Sequence, residues 1–180
     1  VVGDINVNEV ENAIKKLWAD VPARSNRGER PLYSVDDNVE PIVAIVQDKE
    51  AQQTRVQVDY KKAKLPKQMR TTNEAYLISI LQRLICDMLD YRFQDLALEP
   101  EASLVVGGAF YSELVKEKDA FSAVYLAKAG KETQALNDLL IQLEKMRRYG
   151  FNASELERVK TEMLTQYEKL YNERNTVRNI

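Results

Sequence analysis

The sequence predicts an α+β domain, a mostly antiparallel sheet with helices packed on one face. Three observations carry this. Residues 71–99 form a long helical pattern with no Gly or Pro inside it. Alternating, strand-like segments flank it on both sides, and two further amphipathic helices follow them. The element order is β-α, a linker, then β-β-α-β-β-α-α.

Taken in order, residues 1–5 (VVGDI) read as a short apolar strand. Asn6 then caps a helix, with Glu9 at the capping-box position and Val10, Ile14, Leu17 and Trp18 as its apolar face. Residues 20–40 carry Pro22, Pro31 and a polar run, the composition of an extended linker. Residues 42–47 read as an apolar strand and 48–53 as a polar turn. Residues 54–62 alternate: Thr54, Val56, Val58 and Tyr60 on one face, Arg55, Gln57, Asp59 and Lys61 on the other. That is a strand with one buried and one wet face.

Lys61, Lys62, Lys64, Lys67 and Arg70 form a local basic cluster. It reads either as a phosphate-binding patch or as a solvated loop leading into a helix, and the second is the expectation. The long helix follows, with Thr71 and Glu74 as a capping box and Leu77, Ile80, Leu81, Leu84, Ile85, Met88 and Leu89 along one broad face. Pro100 stops it. Residues 103–115 and 121–129 read as a hairpin joined by the charged turn 116–119, with Gly107 and Gly108 predicting a bulge or close packing. A helix over 133–149 presents Leu136, Leu139, Leu140, Leu143 and Met146, with Gly150 at its C-terminal end. Asn152 and Glu155 start another at once, with Leu156, Val159, Met163, Tyr167 and Leu170 on its face.

Composition excludes more than it assigns. At 180 residues, 44% hydrophobic and 30% charged, the chain has ample material for a core. A net charge of −2 gives no electrostatic case for nucleic acid. An aromatic nucleic-acid platform is approached only by Tyr60 beside Lys61 and Lys62; Tyr76, Tyr91 and Tyr171 fall on helices. No apolar run approaches the roughly 20 residues of a membrane span. The chain has no His and a single Cys. That removes Ser-His-Asp and Cys-His pairs, H-E-x-x-H sites and ordinary zinc sites built from this chain alone. Cys86 is expected as a small buried hydrophobe, since a nucleophile would want a base. Phosphate-binding G-x-G-x-x-G and Walker-type loops are missing too. No catalytic, cofactor-binding or metal-ligating residue is therefore assigned.

With the elements in order, the chain resembles the insulinase/pitrilysin family of zinc metallopeptidases. VVGDINVNEVENAIKKLWADVP resembles the strand-helix unit that closes the family's metal-bearing domain. IVQDKEAQQTRVQVDYK resembles the first hairpin of the second domain. MLDYRFQDLALEPEASLVVGGAFY resembles the s-R-L-f-x-x-l-R-e segment, and YGFNASELERVKTEMLTQYEKL the x-G-x-t-x-x-E-L-x-x-a-k-x-x-l helix. The resemblance implies an H-x-x-E-H motif with a distal Glu upstream of residue 1, hence zinc in a parent chain and none here. Active members also place an Arg and a Tyr after the s-R-L-f segment to hold a peptide carbonyl. Here Arg92 matches the early Arg, but the later positions fall near Ala97 and Ser103, so no catalytic role is carried over. Arg92 is expected to be structural, paired with Asp95 or a neighbouring chain.

The layout implied is a closing strand-helix unit over 1–20, a linker over 21–41 and a non-catalytic domain over 42–180. A start without Met and an uncapped end at Ile180 read as a piece of something longer, lacking the family's last strand. Targeting signals would then lie outside this window, and the compartment is not encoded in it. Expected partners are the metal-bearing domain of the same parent, the parent's peptide substrates, and a second copy through exposed sheet edges. Two other functions fit the sequence: a relative that has lost catalysis and serves as scaffold or subunit, and an independent peptide-binding module.

Overall fold

A computed structural model describes residues 3–22, 28, 31, 33–174 and 176. Its helices and antiparallel sheet bear out the α+β expectation. The chain divides into two compact units, Leu32–Met163 and the pair Val1–Pro31 with Leu164–Ile180.

The larger unit holds the sheet. Strand β1 spans Thr54–Ala63, β2 Leu104–Val115 and β3 Lys118–Ala127, in the order β1-β3-β2, antiparallel throughout. The β2–β3 hairpin is as expected. Register sets Val56, Tyr125 and Gly107 side by side, then Val58, Ala123 and Ala109, then Tyr60, Phe121 and Tyr111. This row-by-row face carries the core. Helix α2 (Asn73–Ala97) lies on β2, and α3 (Glu132–Tyr149) on β3 and β1. Leu89, Phe93, Leu104, Ala123, Tyr125, Ala135 and Leu139 are all buried there.

Gly107 shows why the glycine pair is needed. Phe93 and Tyr125 meet edge to face, ring centroids 4.9 Å apart, directly over it. A Cβ at Gly107 would lie 2.7 Å from the Tyr125 ring and 3.0 Å from the Phe93 Cβ. Close packing is thus the reason for this glycine, and the hairpin's register also shifts nearby, between Leu104 and Val106.

The helix termini follow local chemistry, with one displacement. The cap of α2 is Thr72, whose hydroxyl accepts from Ala75 N and donates to Met69 O, so the expected Thr71 box moves by one residue. The 3₁₀ turn over Lys67–Met69 places Thr72 at the helix mouth, where the nearby Thr72 side chain and then Glu74's own backbone N–H hold the Glu74 carboxyl below the usual range. Gly150, at φ 64°, ends α3 and donates to Met146 O at 2.8 Å. Helix α4 (Ala153–Glu173) opens on the predicted reciprocal box: Glu155 N donates to Asn152 Oδ1 at 2.9 Å, and Asn152 N to Glu155 Oε2 at 2.7 Å.

The buried stripes are narrower than the sequence suggested. In α2 the buried residues are Cys86, Met88, Leu89 and Phe93, all in its second half, while Leu77 and Leu81 stay exposed. In α3 only Ala135, Leu139 and Leu143 are buried, and Leu136 and Leu140 are exposed. Three strands supply a narrow floor, so only the central stripe of each helix finds cover.

One element is corrected outright. Residues 42–47 form no strand, and Ile42, Val43, Ile45 and Val46 are exposed. Their apolar, β-branched composition favours extended backbone, but a strand exists only where a ladder partner pairs with it. The segment carries none here.

In the smaller unit, α1 (Val7–Trp18) is capped as predicted by Asn6, whose side chain accepts from Asn8 N and Glu9 N. Its expected apolar face is not buried: Ile14, Leu17 and Trp18 are exposed. The end of α4 likewise exposes Leu164, Leu170 and Tyr171. Of the predicted strand over 1–5, residues 1 and 2 lie outside the described residues, and Gly3–Ile5 form no ladder. Residues 23–27, 29, 30 and 32 of the linker also lie outside them.

Candidate functional site

The groups with any chemical promise gather around the second half of α2. Cys86 is buried, as expected. Burial pushes its thiol up to about 12, with the carboxylates of Asp90 and Asp87 adding to the effect. A thiol so far from ionising supplies no nucleophile near neutral pH. Asp90, one turn further along α2, reaches β2, where its Oδ1 accepts from Ala109 N at 2.7 Å. Burial raises the Asp90 carboxyl to about 6, against the pull of the Ala109 N–H and with a further push from Asp87. Sequence reasoning passed over this acid. The signal was there: positions 86, 89, 90 and 93 share a helical face, and Asp90 is the one charge on it.

Arg92 is structural, but not through Asp95. Its Nε meets Glu155 Oε1 at 2.5 Å, and its Nη2 meets Glu155 Oε2 and Gly150 O, each at 2.9 Å. The guanidinium also lies over the Phe151 ring, 4.6 Å from its centroid. Arg92 thus clamps the corner where α3 turns into α4. A bidentate carboxylate on a second helix matches the planar fork better than Asp95, three residues along the same helix. Glu155 is held below the usual carboxylate range by Arg92 first and by the Asn152 N–H after it. The two positions aligned with the family's later substrate contacts are also engaged inside the fold. Ala97 packs against the core, and Ser103 is fully buried, donating to Asp138 Oδ2 at 2.5 Å.

The basic cluster does not form an open cationic patch. Lys61 Nζ donates to Asp36 O, and Lys64 pairs with Glu113 and lies 3.8 Å from Asp119. Arg70 Nε donates to Leu65 O at 2.8 Å, and Lys62 sits over the Tyr111 ring, 5.5 Å from its centroid. Lys118, across from Ala63, pairs with Asp37 at 2.6 Å. Acids and carbonyls answer most of these cations, which favours the solvated-loop reading over a phosphate site. Tyr60 is exposed at the end of the sheet, its ring 6.2 Å from Phe121.

A zinc ion does not fit this chain's donors. It has no His, its one thiol stays protonated, and the described residues hold no group of three His, Cys, Asp or Glu that could ligate a metal. Among the described residues no helix is long and apolar enough to cross a membrane.

Comparison with known proteins places these features in a family. The family description "Peptidase M16 inactive domain" matches residues 1–163. No individually curated protein matches at a significant level. Among solved structures, the periplasmic protease PqqL from Escherichia coli superposes with a TM-score of 0.70 at 20% identity, covering 96% of this chain and 19% of that one. The first half of the same protease gives 0.67 at 20% identity, over 96% of this chain and 36% of that one. A predicted insulinase family protease from Yersinia pestis gives 0.69 at 13% identity, over 98% and 37%. The chain therefore spans about a fifth of full-length PqqL and little more than a third of the other two. At these identities the structures speak for the fold alone. The family match extends over most of the sequence, and this chain belongs to the peptidase M16 family as one of its inactive domains.

Proposed function

We propose that this chain is the non-catalytic partner domain of an insulinase-like zinc endopeptidase, helping to enclose a chamber in which another domain of the parent hydrolyses peptides. The observation that carries this reading is the match of residues 1–163 to the M16 inactive domain. The chemistry described above supports it. The groups that resemble reactive ones, Cys86 and Arg92, are spent on packing and on an internal ion pair. The layout that goes with this reading is a closing unit over 1–20, a linker over 21–41 and the partner domain over 42–180. The metal-bearing domain lies upstream and holds the zinc. Exposed apolar residues such as Leu77 and Leu81 are then surface that the metal-bearing domain covers.

The test is made in a parent that carries both domains. Removing the segment that corresponds to residues 42–180 is expected to leave zinc bound and abolish peptide hydrolysis. Full hydrolysis by the truncated parent would contradict the chamber role. A parent that holds no zinc and cleaves nothing before truncation would instead support a scaffold relative.

A further inference from the structure

We propose that Asp90 guards an interaction edge: its carboxylate caps the Ala109 N–H on the outer side of β2, and without that cap the edge pairs, antiparallel and two-fold, with β2 of a second copy. Strand β2 ends the sheet on one side in the order β1-β3-β2. Along an antiparallel strand, backbone groups point alternately to one neighbour and to the other. Lys128 N donates to Ser103 O and Lys64 N to Glu117 O, which fixes the phase: even-numbered residues along β3 face β2, odd-numbered ones face β1. Gly107, Ala109 and Tyr111 stand opposite Tyr125, Ala123 and Phe121, all odd, and so turn their N–H and C=O groups outward, away from β3. Ala109 is the middle one, and its N–H meets Asp90 Oδ1 at 2.7 Å. An added strand needs that donor, and α2 already holds it.

The remainder of the edge explains why a guard is needed. Register shifts between Leu104 and Val106 and between Glu113 and Val115 roughen the two ends of β2, a common defence of an edge strand. Between them residues 106–113 run in regular register, with Glu113 as their one charge and Val106 and Phe110 exposed. A regular, apolar, unpaired run of this kind recruits further strands. Asp90 stands at its centre.

The same run is complementary to itself, which selects a second copy as the occupant. A two-fold antiparallel pairing centred on Phe110 sets Ala109 of each copy opposite Tyr111 of the other, so the outward donors and acceptors meet. Phe110 then faces Phe110 at a position where opposed side chains come closest, and Val106 faces Leu114, which is also exposed. Glu113 falls opposite Gly107, so no like charges oppose one another.

Sedimentation equilibrium and NMR amide exchange on the whole chain test this, in the parent, Asp90→Ala, Asp90→Asn, and Asp90→Ala combined with Phe110→Glu. Asp90→Ala frees the Ala109 donor and should self-associate at least about tenfold more tightly than the parent. Asp90→Asn keeps an oxygen on that donor and should stay with the parent. Adding Phe110→Glu opposes two carboxylates across the two-fold axis and should return the double variant to the parent's behaviour. A separate arm needs no variant to fold. In the parent, the Ala109 amide should exchange at least about tenfold slower than in free peptide, at a rate independent of protein concentration. Asp90→Ala associating no more tightly than the parent, or association that persists with Phe110→Glu, would overturn the proposal. So would free-peptide exchange at Ala109 in the parent, or protection there that grows with concentration.

Discussion

Replacing Asp90 by Asn should stabilise the fold at neutral pH and remove a specific part of its pH dependence. Asp90 stands on the packed side of α2 with Oδ1 on the Ala109 N–H, and burial raises its carboxyl from 3.8 to about 6. At about 1.36 kcal/mol per pH unit, that rise corresponds to about 3 kcal/mol against the ionised form. Asp90 is only part-buried, and screening by the solvent it still meets brings the figure down to about 1–1.5 kcal/mol. The folded state binds this proton more tightly than the unfolded chain does. The contribution is therefore fully present below about pH 4 and is lost as pH rises towards and through 6. Asn keeps an acceptor for Ala109 N–H but never ionises. The charge-assisted bond it gives up is the smaller effect, since burial outweighs the N–H in setting the carboxyl. Glu74, Glu113, Glu144 and Glu155 are all held low and tilt the raw stability profile the other way. The informative quantity is accordingly the difference between variant and parent. Urea unfolding from pH 4 to 7.5 should show Asp90→Asn more stable by about 1 kcal/mol at pH 7.5, with the gap closing towards pH 4. A variant less stable at pH 7.5, or a gap that does not change with pH, would refute the reasoning.

Other perturbations follow from the same geometry. Gly107→Ala puts a methyl 2.7 Å from the Tyr125 ring and should cost about 1–3 kcal/mol, read as a lowered Tm. Arg92→Ala strands a half-buried Glu155 and should cost about 3 kcal/mol in urea unfolding, whereas Asp95→Asn should change stability by less than about 0.5 kcal/mol. The Tyr125 hydroxyl is buried and has no hydrogen-bond partner among the described residues. Tyr125→Phe should therefore hold or raise stability, by up to about 1 kcal/mol, and a clear loss would reveal an unseen partner.

What the sequence made legible was local. The helices, the β2–β3 hairpin and the Asn6 and Asn152 caps rest on spacing within a few residues, and they formed as read. Thr71 and Thr72 stand side by side, and only the preceding 3₁₀ turn decides between them. The Arg92 clamp was beyond reach because Glu155 lies 63 residues away, while Asp95 is a neighbour on the same helix. Residues 42–47 failed for the opposite reason. Their composition was read correctly as strand-like, but pairing depends on what lies beside them and not on their own side chains. The exposed face of α1 makes the same point, since amphipathic spacing identifies a helix without supplying the surface that covers it.

The most direct test of the central claim is zinc content and peptide hydrolysis, measured on this chain beside a parent that contains it. The account predicts stoichiometric zinc and cleavage in the parent, with neither in the isolated chain. Zinc-dependent cleavage by the isolated chain would contradict it.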